Sequence, residues 1–284
     1  MQKDNKFLIK TMTRKEFDIA NEWAIAEGWD LGLHDADCFF KAYPTGFLIG
    51  LFENEPIAAI FAVKYSDSFG YLGFYIVKHA YRGQDFGIRI WKAAIEHLKE
   101  CNIGLDGVIA QQKNYEKSGF KLAYRNIHFE GVGGGDFPSD SNIVPLSTIP
   151  FDDINAYDEP FFPYKRTKFL KCWIDQPEST ALGIMKNGRI AGYGVLRMSH
   201  FGYKVGPLFV DTPELAETLF LALRASAKPG SPIHLDTPES NHVAVALARR
   251  NNMKIVFEMA RMYTGDIPSL PLNRLFGVTS FVLG

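Results

Sequence analysis

Six consecutive residues, Arg82-Gly83-Gln84-Asp85-Phe86-Gly87, have the composition of an anion-holding loop. Before them runs an apolar stretch rich in aromatic and β-branched residues (71–77), the pattern of a buried strand. After them Ile88, Trp91, Ala94, Ile95 and Leu98 are apolar at helical spacing, while Arg89, Lys92, Glu96 and Lys99 are polar. The chain therefore passes from a strand through a glycine-bracketed turn into an amphipathic helix. The first N–H groups of a helix lack partners inside it, and the helix dipole adds positive character there. A loop that points several such groups outward binds phosphate. Two glycines alone would equally serve a tight turn that needs only backbone freedom. The whole ordered string, from strand to helix, is more particular than that.

The elements that must position this loop follow from the rest of the chain. At 284 residues, 46% hydrophobic and 14% aromatic, the sequence has the length for two domains and the apolar content for filled interiors. A net charge of −1 argues against electrostatic capture of nucleic acid or an anionic membrane surface. The opening MQKDNKFLIK has no apolar leader core, and no apolar run approaches the roughly 20 residues that span a bilayer. Cys38, Cys101 and Cys172 are scattered and odd in number, so reduced thiols and a cytoplasmic location are expected. No Cys or His pair has zinc-ligand spacing, and His234 and His242 are read as structural, so no metal is expected.

In chain order the patterns predict a strand at 7–10, helices at 14–27 and 35–42, and a hairpin over 46–65 around the turn ENEP. A buried strand lies in GLDGVIAQ, a short helix in QQKNYEKSGF with Gly119 at its C-terminus, and a strand in KLAYRNIHFEG. Gly131, Gly133, Gly134 and Gly135, with the polar residues to Asn142, read as a flexible linker. The second half then repeats the first. ALGIMKNGRIAGYGVL begins at 181 where LIGLFENEPIAAIFAV begins at 48, an offset of 133 residues that also sets Leu208-Phe209-Val210 over Tyr75-Ile76-Val77. At that offset the loop 82–87 falls on Leu215-Ala216-Glu217-Thr218-Leu219-Phe220, which has no glycine and reads as a plain amphipathic helix after Pro213. The second half lacks the cradle.

The string around 71–91 resembles motif A of the GNAT superfamily of N-acetyltransferases: Arg or Gln, two residues, Gly, one residue, Gly or Ala. The resemblance implies that the loop backbone from Arg82 through Gly83, Gln84, Asp85, Phe86 and Gly87 to Ile88 holds the pyrophosphate of acetyl-CoA. It also implies that the strand splays, so that Tyr75, Ile76 and Val77 pair with pantetheine and a backbone N–H near Val77 polarises the thioester carbonyl. The family's first glycine is Asp85 here, whose carboxylate is expected to weaken binding by about 1 kcal/mol and which also suits a helix N-cap. Asn114-Tyr115-Glu116-Lys117-Ser118-Gly119-Phe120 resembles the end of motif B. By that likeness Tyr115 is the general acid toward the departing CoA thiolate, with Asn114 beside the cofactor, whereas the counterpart of Tyr115 is Ala248.

GLDGVIAQQKNYEKSGFKLAYRN, GYGVLR, VGPLFVD and LFGVTSFVLG extend the likeness to a tandem GNAT group, the YitH-like acetyltransferases, in which an active first domain precedes a degenerate second. The fold expected is α/β (α+β), two GNAT-like domains, each a mixed, mostly antiparallel sheet flanked by helices. The first spans 1–131 and the second 150–284, joined by a linker at 132–149. The expected function is acetyl transfer from acetyl-CoA to an amine, of a small molecule first and of a protein or peptide second. The amine attacks directly; a lysine-like amine needs a base, since deprotonating it at neutral pH costs about 4–5 kcal/mol. His34, Asp35, Asp67 and His79 are the candidates, and Trp29, Phe39 and Phe40 are expected around the acceptor. Two other classes share the scaffold: a non-catalytic acyl-CoA-binding sensor and an aminoacyl-tRNA-dependent ligase.

Overall fold

A computed structural model describes residues 6–284. The first half contains β1 (Phe7–Thr11), α1 (Arg14–Ala26), α2 (Asp35–Ala42), β2 (Phe47–Phe52), β3 (Glu55–Lys64), β4 (Phe69–Val77), α3 (Phe86–His97), β5 (Asn102–Val108), α4 (Gln112–Lys117) and β6 (Lys121–Val132). The second contains β7 (Ile143–Pro145), α5 (Phe151–Asp158), α6 (Thr167–Trp173), β8 (Ser179–Lys186), β9 (Arg189–Ser199), β10 (Gly202–Val210), α7 (Pro213–Ser226), β11 (Pro232–Pro238), α8 (His242–Arg250), β12 (Lys254–Tyr263) and β13 (Leu275–Gly277). Both expected hairpins form on two left-handed turn residues, Glu53 and Asn54 (φ 50° and 70°) and Asn187 and Gly188 (φ 52° and 72°). That turn matches the twist of the flanking strands.

All the strands join one sheet in the order β1-β2-β3-β4-β5-β12-β6-β11-β10-β9-β8-β7, with β13 beside β10. Among the described residues only β4–β5 and β10–β11 are parallel. The order is symmetric about the β12–β6 pair, where Asn126 faces Met259, the residue 133 positions later. The pseudo-twofold axis relating the halves passes there. Each half has thus exchanged its last strand: β12 completes the first half's sheet against β5, and β6 completes the second half's against β11. On one face α3 and the pair α7 and α8 cover separate apolar clusters. On the other, α1, α2, α5 and α6 share one cluster in which Phe39 stacks on Phe169 (6.3 Å) and Trp173 (5.9 Å). Burying each such ring contributes about 1.5–3 kcal/mol.

Two expectations are corrected by this packing. Cys38 of α2 and Cys172 of α6 form a disulfide across the pseudo-twofold (Cα–Cα 5.3 Å), leaving Cys101 as the free thiol. Their separation of 134 residues gave no spacing signal, because only the fold brings α2 against α6. The glycine run is not a loose linker either. Gly133 N–H donates to Ser231 O and Gly134 N–H to Arg224 O, both at 2.8 Å, and a Cβ on Gly133 would stand 2.8 Å from that of Ala227. Among the described residues no helix is long and apolar enough to cross a membrane.

Candidate active site

β4 and β5 pair only from Phe69↔Asn102 to Leu72↔Leu105. Beyond that β4 stays with β3 and β5 with β12, so the two strands diverge into a wedge. The divergence begins at a β-bulge. Phe61 faces Gly73 and Ala59 faces Ile76, so the extra residue falls at Phe74 and Tyr75, with Phe74 at φ 47°. A bulge bends its strand and re-aims the backbone. It turns the groups of residues 74–77 toward the gap.

The loop 82–85 and the first turn of α3 lie at the wedge. The first intrahelical bond is from Arg89 N–H to Asp85 O (3.1 Å), so the N–H groups of Phe86, Gly87 and Ile88 lie ahead of the helix ladder. Gly83 (φ 71°) has open space around it, whereas a Cβ on Gly87 would stand 2.6 Å from Tyr75 Oη. Asp85 occupies the N-cap position with φ 64° and no side-chain cap bond. Its left-handed backbone explains why glycine suits this place, and the N-cap expectation holds in position but not in bonding. The Arg82 side chain is committed elsewhere: Nε donates to Val77 O (2.9 Å) and Nη2 to Glu27 (2.6 Å), fixing the loop to the strand end and α1. Gln84 Nε2 likewise donates to Ala80 O (3.0 Å).

A cavity of about 1200 Å³ runs through the wedge, reached by Tyr75, Ile76, Val77, Arg82, Gly83, Gly87, Ile88, Asn114 and Tyr115. Of the expected site residues, Gln84, Asp85 and Phe86 do not line it. The Phe86 ring is buried against Phe7 (4.9 Å) and Phe52 (5.1 Å), leaving only its backbone to the loop. Tyr115 packs on Trp91 (5.6 Å between rings) and lies so close to β5 that a Cβ on Gly107 would meet it at 2.2 Å. Burial, reinforced by Tyr75, pushes the Tyr115 phenol up to about 12, so it stays a proton donor. Splayed backbone, outward N–H groups and a glycine cradle fit a nucleotide thioester such as acetyl-CoA.

On the far side of the wedge the cavity opens onto the sheet face near α1 and α2. Trp29, edge-on to Phe74 (5.7 Å), lines it with Phe257, Phe281 and Val282. Gly73 makes room for this roof, since its Cβ would stand 2.1 Å from Val282 O. Of the aromatics expected around the acceptor, Trp29 lines the cavity, whereas Phe39 and Phe40 do not: Phe39 is fully buried, and Phe40 packs on Phe47 (4.6 Å). The candidate bases disperse as well. Asp67 is exposed beside Lys64 and His79 is exposed, while His34 bonds Glu178 (3.0 Å). Asp35 lines the cavity, but Arg197 and the Gly32 N–H (2.9 Å) engage its carboxylate.

Three residues that the sequence reading passed over stand in this lobe. Asp106 receives Arg261 bidentately (2.8 and 2.7 Å), with Asn126 (2.8 Å) and Tyr71 (2.7 Å) adding bonds, which satisfies it fully. His128 of β6 and Asp236 of β11 face one another, with Nδ1 2.5 Å from the carboxylate. No local spacing announces that pair, because strand exchange alone joins a first-half histidine to a second-half aspartate. Among the described residues no three His, Cys, Asp or Glu side chains gather to hold a metal.

Sequence models of the acetyltransferase (GNAT) domain match residues 27–134 and 154–277. A holothin acyltransferase from Pseudoalteromonas sp. (strain SANK 73390) is 30% identical over 284 residues, covering 100% of this chain and 97% of that protein. Among solved structures, a putative acetyltransferase from Pyrococcus horikoshii superposes with a TM-score of 0.83 at 20% identity, covering 100% of this chain and 97% of its own. A tandem GNAT protein from the clavulanic acid biosynthesis pathway gives 0.65 at 11% identity, covering 93% and 100%.

Proposed function

We propose that this chain, which belongs to the GNAT acetyltransferase family and is an acyltransferase, moves an acetyl group from acetyl-CoA to the amine of a small molecule. One observation carries the reading: a single cavity joins an outward-facing helix N-terminus, a strand wedge and a half-buried tyrosine to a second, roofed lobe. The loop backbone at 82–88 takes the pyrophosphate, and the open edge of β4 at Tyr75, Ile76 and Val77 takes pantetheine. The amine then approaches from the Trp29 and Phe281 side and attacks the thioester carbon. An N–H near Val77 receives the developing oxyanion. As the C–S bond breaks, Tyr115 gives its phenol proton to sulfur and regains one from the nitrogen as the amide forms.

A roofed lobe selects a compact acceptor over a protein side chain. The end-to-end relative is named for acylating holothin, so holothin is the first acceptor to test. An acetyl-CoA donor puts the reaction in the cytoplasm. The test is release of CoA thiol on mixing the protein with acetyl-CoA and a panel of amines. Turnover with at least one small amine is expected. Acetyl-CoA binding without turnover on any amine would favour a sensor.

A further inference from the structure

We infer that His128 is the base that deprotonates the acceptor amine and that Asp236 positions it, so that the exchanged strands build half of the active site. This rests on the transferase reading. His128 lies in the lobe opposite Tyr115, as the acceptor side of a ternary complex requires. With Nδ1 held by Asp236 at 2.5 Å, Nε2 is the nitrogen left to receive a proton. Phe257 stacks on the ring at 4.3 Å and His234 at 5.0 Å, both nearly parallel, which fixes the ring plane. The charged and titratable groups around the pair are Asp236 and His234 from β11, Lys204 from β10 and Asp30 from the loop after α1; β12 and the 280–282 segment present Phe257 and Phe281.

The electrostatics suit a base. Burial opposes ionisation of Asp236, yet His128 and Lys204 hold its carboxyl below the usual range, so a carboxylate stands ready to stabilise an imidazolium. Burial, with Lys204 and His128, pushes His234 down to about 4, so the stacked neighbour stays neutral and adds no competing charge. The proton count closes. His128 Nε2 takes one proton from R–NH3⁺, directly or through one water, and the freed lone pair forms the C–N bond. The second proton lost by nitrogen restores Tyr115 after it has protonated the CoA sulfur, and His128 returns its proton to solvent. Asp35 and Asp106, the other buried carboxylates of the lobe among the described residues, are bound by Arg197 and Arg261, while Asp30, which also lines the cavity, accepts from His200 N–H through Oδ1 and leaves Oδ2 unpartnered.

The test is the pH profile of kcat/KM for wild type, His128→Gln and Asp236→Asn, with acetyl-CoA affinity and thermal stability measured on each. Wild type should lose kcat/KM as pH falls, the acid limb that a general base requires. His128→Gln should lose about 10²–10³-fold near neutrality, bind acetyl-CoA as wild type does, and recover as pH approaches the acceptor's own pKa. Asp236→Asn, which keeps a partner for Nδ1, should lose less and shift the acid limb. A His128→Gln enzyme within threefold of wild type, with an unchanged profile and intact acetyl-CoA binding, would overturn the assignment and leave the transferase standing. If both variants unfold, a wild-type profile without an acid limb overturns it. Wild type that binds no acetyl-CoA would instead sink the transferase reading itself.

Discussion

The two halves carry the same wedge and treat it in opposite ways. In the first, β4 and β5 part after Leu72 and the gap is open to the cavity. In the second, β10 and β11 part after Val205, at a bulge in the equivalent place, but β13 enters the gap. It pairs Leu208 with Gly277 and Phe209 with Leu275, while Val278 N–H donates to Asp236 O (2.8 Å) and Thr237 to Phe276 O (3.1 Å). The helix ends differ as well. Thr212 caps α7 by accepting from Leu215 N–H (3.4 Å), and Pro213 has no N–H to offer, so the groups that would cradle phosphate are capped or missing. A backbone slot that is open in one copy is thus filled by the chain itself in the other. The second half satisfies its own wedge, and lends β11 and β12 to the walls of the first half's cavity.

Emptying the filled wedge should have the largest effect. Phe276, fully buried in β13, is expected to cost about 3–5 kcal/mol as Phe276→Ala, read by chemical denaturation. It should create no second acetyl-CoA site, because the capped α7 terminus is unchanged. A second site would mean that β13 alone separates the copies. Next comes Tyr115→Phe, expected to lower kcat by about 10²–10³-fold with acetyl-CoA affinity kept. Since its phenol titrates near 12, wild-type activity should show no loss from Tyr115 ionisation as pH rises to about 10. A variant with full kcat would remove the acid role. The smallest change is Asp85→Gly, which removes a carboxylate from the loop and a left-handed strain at φ 64°. It should tighten acetyl-CoA by about 1 kcal/mol, roughly fivefold, and raise stability slightly.

Legibility followed the range of the interactions. The loop, both hairpins and the internal repeat depend on neighbours in sequence, and their glycines, turn residues and apolar periods were visible there. Asp85 was visible as a departure, although its positive φ was not. The strand exchange left no trace because β6 and β12 are copies at an offset of 133 residues, and each is patterned to fit either sheet. Everything resting on that exchange was hidden with it: the His128–Asp236 pair, the Asp106–Arg261 network and the packed glycine run. The Cys38–Cys172 bond was hidden for a related reason, since the two helices meet only across the same axis.

The most direct measurement is the stoichiometry of acetyl-CoA binding to the full chain by calorimetric titration, for wild type and Asp85→Gly. One molecule per chain, bound more tightly by Asp85→Gly, is the predicted result, because the open wedge is in the first half alone. Two molecules per chain, or none, would contradict it.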